Sequence, residues 1–508
     1  MGMKPRVPRP EATKPNAGEE LEKEKLIEEC EEKLEQLVRE RLEQGGSFGS
    51  FADYEKAMLE IAHEVVRRRL EKKLQSLADG FVDRLAIEHT NDWHGAREGR
   101  LFRYRRHSPG TAAYHSLVGP LRVRRDTYRE CGLGSSYVPL ELAAGLIERM
   151  TPALAQSVAI GYAYMPPRTC EQMMLASGLR PPSRSTFDRA ARDLGAYAAN
   201  CNGEIEPLVR ANEIVDPNAQ SIVLGLDRTA VPMRGGERGA DALMMYDNRL
   251  RRSRPKPRSR AEIAGPVSWR MDYVGTVAML SADGTLLTTR KYRLPGEADA
   301  EKIVARMMAD VRHALVQRPQ LTISIIQDGA PELWRVVAGA LAEERLVSAW
   351  TETLDWYHLD ERLGKCLELC TPPVERASQR KRWHAQLFAS DTGIRNVLRS
   401  LRRQARKLDA SGSEELTGHI NYLARNQHRA AYASRRAAGA PIGSGITEGA
   451  CKSLVGMRAK RSGQRWSQRG LTAALHLRAI HDSGRFDGFW SFFSRRYRAS
   501  HIVSLGSD

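Results

Sequence analysis

The sequence predicts an α/β protein: a mixed sheet core with a helical insertion, preceded by a mainly helical N-terminal region and a small basic β-hairpin region. Three observations carry that reading. Between residues 217 and 359, short apolar runs such as SIVLGLDRTAVPM and LTISIIQ stand apart from stretches of helical period, in the order strand, strand, strand, helix, strand, helix, strand. Residues 360–440 then keep helical spacing throughout, so they interrupt rather than extend the sheet. Upstream, apolar residues recur at helical spacing among Glu, Lys and Arg, as in Leu26, Ile27, Leu34, Leu37, Val38 and Leu42.

Taken in order, residues 1–20 read as a flexible tail and 21–100 as a helical region, either an oligomerisation arm or a hairpin closed on itself. Residues 101–145, with LFRYRRHSPG and PLRVRRDTYRECGLGSSYVPL, alternate in short runs between glycine turns and predict the basic β region. Residues 146–200 are helical. Within them RTCEQMMLASGLRPPSRSTFDRAARDLG has the outline of a helix-turn-helix, with Ser183 or Ser185 as cap and Arg184 offered to DNA; plain helix packing is the competing reading. Residues 217–359 form the first part of the core. SWRMDYVGTVAMLSADG and TLLTTRKYRLPG make a hairpin turning near Asp283-Gly284, and a helix covers 298–316. The Arg- and Pro-rich stretch 235–262 predicts a mobile basic loop. The basic helical insertion occupies 360–440, and 441–495 returns to the core as its final helical part.

Composition narrows the partners. The chain of 508 residues carries a formal charge of +17. From residue 380 to 407 there are nine Lys or Arg and one acid, Asp391. Charge clustered in this way points to a polyanion more than to solubility alone. Seven scattered cysteines make no disulfide framework, and Cys366 and Cys370, one helical turn apart, read as buried helix residues rather than a zinc pair. The first 25 residues have no apolar core, and no stretch reaches the ~18 apolar residues of a membrane span. The expectation is a cytoplasmic, nucleoid-associated protein with no membrane partner. No GxxxxGK[ST] occurs, so no nucleotide cofactor is expected.

The chemistry lies at two strand ends and one helix start. Asp227 closes the apolar run in GLDRTAV, and Asp328 closes the one in IIQDGAP. Apolar strand residues fix the backbone, and the acid emerges at the rim. Glu448 stands in GSGITEGACKSLVGMRAKRSGQRW, ahead of Lys452, Arg458, Lys460, Arg461 and Arg465 with no other acid in the stretch. Three carboxylates could hold two Mg2+ or Mn2+ ions about 3.5–4 Å apart for phosphodiester chemistry. Lys452, one helical turn beyond Glu448, is placed for the phosphate. The competing reading of Glu448 is an acid answering the helix dipole. Arg380, Lys381, Arg382, Arg402 and Arg403, with the basic run after Glu448, are the expected DNA contacts. In DWYH, Asp355 and His358 stand i, i+3: His358 either orients a carboxylate, contacts DNA or is a buried hydrogen-bonded histidine. Trp466 reads as packing, close enough to the site for base stacking to be tested.

Together LDRTAV, IIQDGAPELW, LDWYHLDERLGK and GSGITEGACKSLVGMRAKRSGQRWSQRGLTAALHLRAI resemble the bacterial insertion-sequence transposases of the ISKra4 type, over roughly residues 100–490. That group is similar to the broader DDE transposases. The resemblance implies a ribonuclease-H-like core, a catalytic and metal-holding triad at Asp227, Asp328 and Glu448, and a helical insertion before the third acid. It further implies cleavage and strand transfer of double-stranded DNA at terminal inverted repeats: water releases a 3′-hydroxyl at the element end, and that hydroxyl attacks target DNA. Joining two DNA ends implies a homo-oligomer. Where the family pattern has a second cysteine after a YRxC-like stretch, this chain has Cys131 alone. Two other functions remain open at the level of sequence: a metal-dependent nuclease on the same core, and a non-catalytic DNA-binding regulator.

Overall fold

The computed structural model describes residues 31–34, 36–37, 51–89, 100–130, 133–233, 268–295, 300–497 and 500–504. The tail at 1–20, the basic loop expected at 235–262 and the cysteine at 131 fall outside the described residues. Of the helix expected at 21–42, the described residues are helical.

Helix α1 (Phe51–Asp79) leads into an antiparallel sheet of β1 (Arg84–His89), β2 (Arg100–Ser116), β3 (Gly119–Glu130) and β4 (Leu133–Tyr137), so the region expected to be helical to residue 100 turns to strand at Arg84. A fifth strand, β10 (Ser500–Ser504), pairs with β1, giving the order β10-β1-β2-β3-β4. The expected basic hairpin is therefore the centre of a larger sheet. Its alternation is plain in β3: Leu121 and Val123 are buried while Arg122 and Arg124 face out.

After a short helix, α2 (Pro139–Ala143), come α3 (Pro152–Tyr164), α4 (Pro167–Ala176) and α5 (Arg184–Ala211). The two helices of the expected helix-turn-helix are α4 and α5. The second runs on for 28 residues, and Phe187, Ala190, Ala191 and Leu194 lie in a shared core with α3. The start of α5 keeps Arg184 exposed, but the Ser183 hydroxyl meets the side chains of Ser185 and Thr186 instead of capping the helix.

The second sheet is mixed. Its strands are β5 (Ser221–Met233), β6 (Ser268–Leu280), β7 (Leu286–Pro295), β8 (Thr322–Gln327) and β9 (Thr351–Leu354), in the order β7-β6-β5-β8-β9. β6 pairs antiparallel with β5 and β7, while β8 runs parallel to β5 and β9 parallel to β8. Gly284, with φ of 81°, makes the β6–β7 turn where the sequence placed it. Helices α6 (Ala300–Gln317) and α7 (Pro331–Glu343) cover one face, burying Ile303, Met307, Val311 and Trp334 against Leu224, Leu226 and Ile325.

The insertion is all helical: α8 (Trp356–Cys370), α9 (Pro373–Ala389), α10 (Gly393–Ala405), α11 (Ala410–Arg425) and α12 (Tyr432–Ala437). It has its own core around Leu363, Trp383, Val397, Leu401 and Leu416. Cys366 is buried there and Cys370 half-buried, both as free thiols. The chain then covers the other face of the mixed sheet with α13 (Gly445–Ala450), which passes through a π-helical turn (Cys451–Gly456) into α14 (Met457–Ala459). Finally α15 (Gln468–Asp482) and α16 (Phe486–Tyr497) pack back on α3 and α5. No described helix is long and apolar enough to cross a membrane.

Candidate functional site

Strand register brings the acids together. Leu224 of β5 pairs with Ile325 of β8, and Ile325 with Glu352 of β9. Three residues further along each chain stand Asp227, Asp328 and Asp355. Parallel pairing puts all three at one level, and the two-residue period puts them on one face of the sheet. In the sequence Asp355 stands out only as the i, i+3 neighbour of His358; its position makes it a third strand-end aspartate.

That face is the one α13 covers. Thr447 bonds the Thr276 hydroxyl at 2.7 Å, and Ile446 packs on Val223, Ala278, Leu280 and Ile326. Gly225 makes the close approach feasible, since a Cβ there would stand 2.0 Å from Thr447 Oγ1. Glu448, the next residue of α13, is thereby held over the aspartate row. Its Oε1 accepts from Ser444 Oγ at 3.1 Å, and its Oε2 lies 3.5 Å from Lys452 Nζ.

His358 occupies the middle of the group. Its Nδ1 is 2.7 Å from Asp355 Oδ2 and 3.9 Å from Glu448 Oε1. The Asp355 hydrogen bond, reinforced by the charges of Asp355, Asp328 and Glu448, raises its pKa to about 9, so it is an imidazolium at neutral pH. Asp355 is fully buried, which opposes its ionisation; hydrogen bonds from the His358 ring and from the Ser444 and His358 backbone N–H groups outweigh this and keep its pKa low. Asp227 goes the other way. Burial, with the neighbouring charge of Asp328, raises its pKa against the pull of hydrogen bonds from Arg228 N and the Cys451 thiol and the field of His358. Four carboxylates thus gather around one imidazolium, with the Lys452 ammonium at the Glu448 side.

Among the described residues, the donor atoms that all lie within 4.8 Å of one another belong to Asp355, His358 and Glu448. The set drawn from sequence, Asp227, Asp328 and Glu448, shares only Glu448 with that group. Hard carboxylate oxygens on rigid strand ends fit Mg2+ or Mn2+, with the imidazole an additional nitrogen donor once it loses its proton. Asp328 is itself fixed: its Oδ1 accepts from Ala330 N at 2.9 Å and its carbonyl from Trp334 Nε1 at 2.5 Å.

The basic residues separate into three groups. Lys452, Lys460, Arg461, Arg465, Lys381, Arg382, Arg402 and Arg403 have exposed side chains, as DNA contacts require. Arg380 is exposed too, but forms an ion pair with Asp360 at 2.5 Å. Arg458 contradicts its expected role. Only 1% exposed, it donates to the carbonyls of Tyr162 and Met165 and stacks over Trp466 at 4.7 Å, so it joins α14 to α3 rather than touching DNA. Trp466 is accordingly a packing residue, with its Nε1 donating to the Ala459 carbonyl.

Comparison with protein-family models gives no match, and comparison with curated proteins gives none.

Proposed function

We propose that this chain is a divalent-metal-dependent DNA transposase of the DDE type on a ribonuclease-H-like core, cleaving DNA at terminal repeats and transferring the strand. The observation that carries the reading is the aspartate row: Asp227, Asp328 and Asp355 level on three adjacent strands, with Glu448 presented over them by α13. Strand order and direction support the core assignment, with three antiparallel strands followed by two parallel ones and a helical insertion before the last acid.

Asp227, Asp328, Asp355 and Glu448 would hold Mg2+ or Mn2+, which would supply Lewis-acid activation of water and charge neutralisation at the phosphodiester. The chain's own contribution is placement. Strand ends hold the aspartates rigid, and the Asp355 bond orients His358. Lys452, with its side chain 80% exposed, presents an ammonium beside Glu448 for a non-bridging phosphate oxygen.

The test is Mg2+-dependent cleavage of a labelled duplex carrying the ends that flank the gene, with Asp227→Asn, Asp328→Asn and Glu448→Gln in parallel. Nicking at the element boundary by the wild type, reduced at least ~100-fold in each variant, supports the reading. Cleavage unchanged in Glu448→Gln removes the third acid from the site. DNA binding without cleavage by the wild type favours a regulator. Cleavage without any joining of the released 3′-end favours a nuclease.

A further inference from the structure

Helix α10 has two faces of opposite character. Ile394, Val397, Leu398, Leu401 and Ala405 are buried in the insertion core. Arg395, Arg399, Arg402, Arg403 and Arg406 line a concavity of about 480 Å³ together with Leu398 and Gln427. These arginines recur at the spacing of one helix face. Asp391 and Asp409, the acids flanking α10, are engaged elsewhere: Asp391 accepts from Ser434 N and Asp409 from Gly412 N. Among the described residues none of the five arginines forms an ion pair with a carboxylate, whereas Arg380 and Arg429 of the same insertion do. The C-terminal end of α10 favours Arg402, Arg403 and Arg406 by its dipole, but it gives no such support to Arg395 and Arg399. Like charges four residues apart repel one another along the whole row. No carboxylate among the described residues answers this repulsion, and the row surrounds a concave floor of a kind that suits an anionic ligand.

We propose that this arginine groove binds the sugar-phosphate backbone of DNA, separately from the carboxylate site. From Arg395 to Arg406 the helix advances about 16 Å at ~1.5 Å per residue, long enough to follow several successive phosphates of one strand at ~3.4 Å each. Guanidinium groups are suited to this because each can grip a phosphate with two parallel donors. Among the described residues no aromatic side chain lines the groove, so the recognition it offers is of backbone charge and shape rather than of bases. That the polyanion is DNA rests on the function proposed above; that a polyanion binds rests on the groove.

The experiment measures binding of the full chain to a labelled 30-base-pair duplex by fluorescence anisotropy, in EDTA so that no cleavage intervenes, across a range of salt concentrations. The groove pair Arg399→Gln with Arg402→Gln is compared with a control pair on other exposed arginines, Arg335→Gln with Arg345→Gln. The groove pair should lose affinity on the order of 10- to 100-fold near 0.1 M salt and reduce the slope of log K against log salt by about 1.8, the control pair by far less. Equal losses in both pairs, or none in the groove pair, overturn the proposal. So does arginine-dependent binding of inorganic polyphosphate without binding of DNA. Loss of cleavage chemistry alone, with the groove-dependent slope intact, counts against the carboxylate site and leaves the groove standing.

Discussion

His476 is enclosed in α15, its Nε2 without a hydrogen-bond partner among the described residues. Burial, with the charges of Arg306 and Arg293, pushes its pKa down to about 3. The unfolded chain takes up that proton near pH 6.5 and the folded chain does not, so the stability it confers is complete above 6.5 and is lost as the pH falls toward 3. The expected cost is about 1.4 kcal/mol per pH unit from this group. Urea unfolding at pH 6.5, 5.5 and 4.5 should therefore be less pH-dependent in His476→Gln by about one proton; identical slopes would show that His476 is protonated in the fold. Such residues mark what sequence hides. Asp227, Asp328 and Glu448 were legible because each follows a local signal, an apolar run or a glycine turn. The level of Asp355 was not, since it depends on how β9 registers against β8, which no local pattern records. Arg458 misled for a related reason: a guanidinium in a basic run looks solvated unless the carbonyls of a distant helix are in view.

At the scale of elements, the contact between α13 and β5 is the most demanding joint in the site. Gly225→Ala sets a methyl against Thr447 Oγ1 and within 3.1 Å of the Ile326 carbonyl. One side must give, and α13 carries Glu448. The expected outcome is a drop in metal-dependent cleavage of at least ~10-fold with a stability loss of about 1–3 kcal/mol. Thr447→Ala in the same chain should recover part of both. Unchanged cleavage in Gly225→Ala would mean Glu448 need not be held where it is. The π-helical turn just beyond, Cys451–Gly456, belongs to the same joint: its first residue points a thiol at Asp227 while the chain continues to the buried Arg458. Helix spacing read from sequence assumed a regular helix there, because nothing in CKSLVG announces the extra residue per turn.

For the whole molecule, Arg458 ties the mixed sheet's covering helix to the N-terminal helices. Burial pulls its pKa down to about 10, yet it stays charged and bonded to Tyr162 and Met165 carbonyls. Arg458→Met should cost about 2–4 kcal/mol in urea unfolding and leave the salt slope of DNA binding as it is. A DNA ligand would behave in the reverse sense, lowering the slope by about 0.9 with stability kept. Closure at the largest scale comes from residues far apart in the chain: α15 and α16 complete the core of α3 and α5, and β10 pairs with the edge of β1 that β2 leaves open. On the ribosome this order has a cost. The helices and strands made first wait, with an apolar face and a sheet edge uncovered, until more than 250 further residues have emerged after α5. A nascent chain interrupted anywhere within the mixed sheet or the insertion leaves that surface open to other chains. Frameshifted or prematurely stopped products of this gene should therefore aggregate rather than persist as partially working DNA-binding fragments.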